Sequence, residues 1–171
     1  MKYLRSMIVL ICLIAMQTFA APVSEYWSIW DKSDEGNAAS IDHSRWQSFL
    51  DKYLTKDANR TVVVRYGKVS AEDQQTLDEY IRDMASLDPG SYRRVVQKAY
   101  WINLYNALTV QLILRNYPLD SIRDLGGPFS FGPWNDEIIE VNGTELTLND
   151  IEHRILRPIW KDKRIHYAVN C

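Results

Sequence analysis

Tyr92 to Asn116 is the stretch that most limits what this chain can become. Apolar side chains recur through it at helical spacing, and its centre is apolar on nearly every side. A helix that is hydrophobic all round has to be buried. Ser91 stands before it as the expected N-cap, and Pro118 after it as the stop. The 171 residues have room for one core able to enclose such a helix, and too few for two ordinary domains. The first expectation is therefore one domain wrapped around one central helix.

The flanking patterns supply its neighbours. Trp46, Phe49, Leu50 and Tyr53 share a helical face, so Asp42 to Leu54 reads as a helix. Thr61 to Tyr66 is short and β-branched, which reads as a strand. Ser70 with Asp73 opens a further helix striped by Leu77, Tyr80, Ile81, Met84 and Leu87, and Asp88-Pro89-Gly90 closes it. Residues 126–136 carry Gly and Pro throughout and read as a loop. Asn142-Gly143 tolerates positive φ at both positions, so Ile138–Val141 and Thr144–Thr147 should form a hairpin. Thr147 with Asp150 caps a short helix that Pro158 should stop after Arg157. Ile165 to Asn170 alternates and reads as a strand. The fold class expected is α+β: helix-rich, with a long buried central helix and a small antiparallel sheet that includes a hairpin.

The first twenty residues stand apart. Lys2 and Arg5 precede the apolar run Met7 to Met16, and Thr18-Phe19-Ala20 puts small residues at the −3 and −1 positions of a cut after Ala20. That is the pattern of a secretory signal peptide. The apolar run is too short to span a bilayer, which takes about 20 residues. Residues 1–20 are thus expected to be a leader, 21–40 an irregular lead-in, and 41–171 the domain. An exported chain in a bacterial envelope, periplasmic or secreted, is the expected destination, with no stable membrane insertion once the leader is cut.

Cleavage would remove Lys2, Arg5 and Cys12, lowering the formal charge of −2 by two and leaving Cys171 as the one cysteine. A pI near 5.9 excludes the basic field that nucleic-acid binding needs. The six Trp, ten Tyr and four Phe suit a packed core or a groove. Three scattered histidines and one cysteine do not have metal-ligand spacing, so neither a metal nor another cofactor is expected.

Four residues are candidates for chemistry. Cys171 follows the expected strand directly, where a helix N-terminus behind it would stabilise a thiolate. His166 lies five residues upstream, and would share its face only if the strand broke after Asn170. The competing reading is a buried cysteine beside a satisfied core histidine. Glu152 falls on the face of Leu148, Ile151 and Ile155, and a carboxylate turned inward needs a partner. It either orients a histidine, as the acid of a triad does, or pairs with an arginine. His153 falls off that face and is expected to be exposed, as is His43 in the first turn of its helix. Asn103 and Asn106 continue the apolar stripe of the central helix, where amides must be hydrogen-bonded. They hold a loop against the helix or line a site.

Several stretches taken together resemble one family. They are Ala99 to Leu108 (AYWINLYNAL), Tyr117-Pro118, Ser121 to Asp124, Pro133-Trp134, Leu146 to His153 (LTLNDIEH), Ile155 to Pro158 and Arg164 to Cys171 (RIHYAVNC). In this order, over roughly residues 41–171, they resemble the domain of unknown function 547 (DUF547) family. The resemblance implies an exported protein whose activity is not established. It also implies a longer pattern, running through a turn of small residues to a second Cys followed by Pro, and then a further C-terminal region. On that resemblance the chain is expected to be the front of a longer or shortened domain, with a possible disulfide partner for Cys171 downstream.

The function expected is a thiol-dependent hydrolase. Cys171 would be the nucleophile, His166 the base, Glu152 the group that orients it, and Asn106 a nearby polarising amide. The substrate would be an amide or ester of the envelope. The alternatives are a non-enzymatic envelope module with a structural cysteine, whose aromatic surface binds a protein or glycan, and a truncated remnant without function.

Overall fold

The computed structural model describes residues 25–126 and 132–169. The expected leader, residues 127–131 of the expected loop, and Asn170 and Cys171 lie outside that range. Its helices are α1 (Ser44–Tyr53), α2 (Ala71–Ala85) and α3 (Arg94–Arg115), a π-helix over Asp150–Leu156, and the short α4 (Arg157–Trp160) and α5 (Ile165–Ala168). Its strands are β1 (Leu54–Lys56), β2 (Val62–Val64), β3 (Ile139–Val141) and β4 (Thr144–Leu146). Each pair forms a two-stranded antiparallel sheet, with Thr55 opposite Val63 and Glu140 opposite Glu145. The class is α+β and helix-rich, as the patterning implied. No helix among the described residues is long and apolar enough to cross a membrane.

The central helix is α3, and it is as enclosed as its composition requires. Tyr100, Trp101, Leu104, Tyr105 and Ala107 are fully buried. Helix α2 packs along it through Leu77, Tyr80, Ile81 and Met84, and α1 joins through Trp46, Phe49 and Tyr53. Trp46 stacks on Phe49 and on Tyr80, at centroid distances of 5.6 and 6.3 Å. Helix α2 begins as expected, with Ser70 Oγ accepting the Asp73 backbone N–H. The Asp73 carboxylate accepts from Lys52, Tyr53 and Ser70, which holds it at about 2.

The start of α3 is different from the expectation. Ser91 is not its cap. It ends a 3-10 turn, Pro89–Ser91, and donates its hydroxyl to Asp88 O. The helix begins after Arg93, and the first-turn N–H of Arg94 is taken by the Glu35 carboxylate at 2.9 Å. An unsatisfied helix N–H accepts any nearby anion, and this one comes from far along the chain. The lead-in is irregular, yet it is docked. Trp30 is buried edge-on against Trp101 at 5.2 Å, and Gln97 Nε2 donates to Lys32 O.

Three further elements depart from the pattern. Leu54 leaves α1 with extended backbone and starts β1. Asp57 turns the chain by accepting the Asn59 and Thr61 N–H groups, which brings β2 alongside. His43 is the residue before α1 and is half-buried rather than exposed, its Nδ1 2.7 Å from Tyr80 Oη. Residues 165–169 are not a strand. Ile165–Ala168 is one helical turn, closed by Ile165 N–H to Asp162 O and Val169 N–H to Ile165 O, both at 3.1 Å. An alternating run becomes a strand only beside a partner edge, and Asp162 instead offers the local acceptors that start a turn.

The hairpin β3–β4 forms where Asn142-Gly143 placed it, with φ of 50° and 70° at the two turn residues. Thr147 and Asp150 then cap one another: Asp150 N–H donates to Thr147 Oγ1, and Thr147 N–H to the Asp150 carboxylate.

Candidate functional site

Glu152 lies in the interior, as its place beside Leu148, Ile151 and Ile155 implied, on a helix that is wound wide. Asp150 to Leu156 is a π-helix, in which each N–H looks back five residues, as Arg157 N–H does to Glu152 O. The wider turn rotates the side chains away from the positions an α-helix would give them. Glu152 and its neighbour His153 are therefore both buried, at 4% and 7% exposed, together with Ile151, Ile155 and Leu156. His153 was expected outside, on α-helical spacing; the π winding overturns that.

Pro158 does not stop this helix. It lies in the first turn of α4, which runs on to Trp160 and ends at Lys161 with φ 51°. An α-helix would pair the residue 158 N–H with the Arg154 carbonyl, and proline has no N–H to give. That carbonyl accepts instead from Trp27 N–H at 3.1 Å. The Arg154 guanidinium lies 3.8 Å over the Trp27 ring. The lead-in thus supplies the donor that proline withholds.

His166 is carried by α5, and α3 anchors that turn at both ends. At the front, the Asp162 carboxylate accepts from Lys98 Nζ at 2.7 Å and from three nitrogens of Arg164. Arg164 first, and Lys98 second, hold the Asp162 carboxyl well below the usual carboxylate range. At the back, Asn106 Nδ2 donates to Ala168 O at 2.8 Å. Lys98 and Asn106 are eight residues apart on α3, about 12 Å along the axis at 1.5 Å per residue. Between them Ile165 and, just beyond, Val169 plug into the core.

This brings His166 to Glu152. His166 Nδ1 is 3.5 Å from Glu152 Oε1, and His153 Nε2 is 3.8 Å from Glu152 Oε2. Arg157 Nη1 lies 3.1 Å from His153 Nδ1. Burial, above all, pushes the His153 imidazole below its ordinary pKa; Arg157 and His166 push the same way against the opposing pull of Glu152. The His166 side chain remains 61% exposed. A buried carboxylate against one nitrogen of an exposed imidazole leaves the other nitrogen open to a substrate or a thiol.

Of the four residues singled out in the sequence, three lie in one neighbourhood. Glu152 faces His166, and Asn106 holds the end of the His166 turn. Cys171 lies outside the described residues. Asn103 and Asn106 also line a groove of about 540 Å³ between α3, the β1–β2 hairpin and residues 167–169, walled by Trp46, Val62 and Val110 among others. Among the described residues no cluster of His, Cys, Asp and Glu has the geometry to hold a metal ion. Sequence reasoning missed His153 and Arg157. Their i, i+4 spacing was the available signal, since such pairs meet on a helix.

Residues 89–171 match the family model described as protein of unknown function, DUF547. Over those residues the chain is similar to that family. That segment holds α3, the β3–β4 hairpin, the π-helix and α5, and with them Asn106, Glu152, His153, Arg157 and His166. Its last matched residue is Cys171. No curated protein and no solved structure matches the chain.

Proposed function

We propose that the DUF547-like segment is a thiol-dependent hydrolase acting on an amide or ester, in an exported protein. The observation that supports it most is the pair formed by buried Glu152 and exposed His166. The remaining roles follow from chemistry. His166 takes the proton of the Cys171 thiol, and the thiolate adds to the substrate carbonyl. Collapse of the tetrahedral intermediate breaks the bond to the amine or alcohol, which leaves with the proton returned by His166. A thioester to Cys171 remains. His166 then deprotonates a water molecule that attacks the thioester, releasing the acid and restoring the thiol. Glu152 keeps the His166 Nδ1 proton in place and balances the imidazolium as it forms. Asn106 acts by holding Ala168, and so the approach to residue 171, against α3. Export rests on the leader pattern of residues 1–20, and the envelope as the source of substrate rests on export.

Alkylation of Cys171 by iodoacetamide, followed across pH in the full chain by mass spectrometry of its peptide, tests this. The expected profile has its midpoint well below the free-thiol value of about 8.5, and returns towards it in His166→Ala. A midpoint at the free value, unmoved by His166→Ala, overturns the nucleophile role.

A further inference from the structure

The contacts around Glu152 divide its two oxygens between two histidines, and only one of those histidines is exposed. Oε1 faces His166, and Oε2 faces His153, which is buried and has Arg157 on its far side. We propose that His153 and Arg157 are positioning residues, forming an Arg157–His153–Glu152 brace that fixes the carboxylate and hands its charge to His166.

Donor and acceptor chemistry permits one assignment of the protons. A guanidinium only donates, so the His153 Nδ1 that meets Arg157 Nη1 at 3.1 Å must present its lone pair. The ring proton of neutral His153 then sits on Nε2, the nitrogen that faces Glu152 Oε2. An ionised carboxylate only accepts, so His166 must present Nδ1–H to Oε1. That leaves the lone pair of His166 on Nε2, where a general base needs it. Every group in the row from Arg157 to His166 is then satisfied in one direction.

The brace matters because of what His153 would otherwise do. An imidazolium there would put two donors, Nδ1–H and Arg157, against each other, and would cancel the Glu152 charge. Burial first, and then the permanent cation of Arg157, favours neutral His153. His153 therefore gives Glu152 an N–H without giving it a charge. The direction in which burial and Arg157 push His153 agrees with this. The Glu152 gaps, 3.5 and 3.8 Å, are ion-pair distances rather than tight hydrogen bonds, as is common before a substrate closes a site. On the π-helix Glu152 and His153 turn inward together while Arg157 stays within reach.

The use of His166 as a base rests on the thiol hydrolase reading; the brace itself is a statement about protons that can be read without a substrate. The experiment is ¹⁵N NMR of the full chain labelled at histidine, with its three histidines assigned by single substitutions. The unaltered chain should show His153 neutral at pH 7 with its proton on Nε2. His153→Leu and Arg157→Met should each weaken the preference of neutral His166 for the Nδ1–H tautomer, because the carboxylate is no longer held against that nitrogen. His153→Gln, which can still accept from Arg157 and donate to Glu152, should restore it. Glu152 and Arg157 both face His153, Glu152 faces His166, and the two histidines lie near each other. A His153 proton on Nδ1, or a charged His153 at pH 7, overturns the brace, and this reading needs no variant to fold. So does a His166 tautomer preference unmoved by either removal. An inert Cys171 with the expected tautomer leaves the brace standing and removes the hydrolase; a reactive Cys171 with the wrong tautomer does the reverse.

Discussion

Helix α3 is held on two sides by different kinds of force. Towards α1, α2 and Trp30 it buries Tyr100, Trp101, Leu104 and Tyr105 in a continuous aromatic and aliphatic layer. Towards the chain end that carries His166 it offers two polar anchors, Lys98 to Asp162 and Asn106 to Ala168. The first side is mostly area, with a few directed bonds such as Tyr100 Oη to Met84 O, so its main effect is on stability. The second has direction and little area, so it places the His166 turn while adding little to stability.

The most severe way to break that contrast is on the apolar side. Trp101→Ala should cost about 3–5 kcal/mol, a large share of the roughly 5–15 kcal/mol that holds a domain together. The check is the urea midpoint, with the slope unchanged. A loss below about 1 kcal/mol would mean that α3 is not the centre of the core.

The polar side should respond in place rather than in amount. Asn106→Ala removes one hydrogen bond, about 1 kcal/mol, and should speed amide exchange of residues 165–169 about fivefold. Amides of α1 and α2 should keep their protection. Equal acceleration throughout would erase the distinction between the two sides.

The smallest effect sharpens the comparison through pH. His43, on the apolar side, and His153, beside the site, are both pushed below the ordinary histidine value, chiefly by burial. Folding therefore favours their neutral forms. The stability they contribute is present above about pH 6.5 and is lost as pH falls through their folded values. Thermal melts between pH 7 and 5 should show this decline. His43→Gln should flatten it in part, while leaving the His153 share and the Cys171 alkylation profile unchanged. No change in slope in His43→Gln would place the whole pH response at the site.

The parts of the fold that were legible share a property: their cause is local. Asn142-Gly143 dictates its hairpin because both residues accept positive φ. Ser70 and Thr147 announce their helices because each has its acidic partner three residues on. The unbroken apolar face of residues 92–116 demands burial whatever surrounds it. The misread parts depend on partners distant in sequence. Ile165 to Asn170 alternates like a strand, but Ala168 O takes its bond from Asn106 of α3 rather than from a sheet edge. Helix α3 takes its cap from Glu35, which no spacing rule connects to Arg94.

The site divides the same way. Glu152 could be placed inside, and tied to a histidine, from the apolar residues around it. That histidine was expected to be His166, but residues alone could not tell that His153 would be buried beside Glu152, or that Arg157 would stand behind. Those facts go with the π-helix, whose Arg154 carbonyl accepts from the Trp27 backbone where Pro158 has no N–H to give. The sequence by itself determined a central buried helix, a helix-rich α+β class and an inward carboxylate, because burial and turn chemistry act over a few residues. The tertiary structure decided which nitrogen meets which oxygen, because helical phase within the core answers to contacts from the other end of the chain.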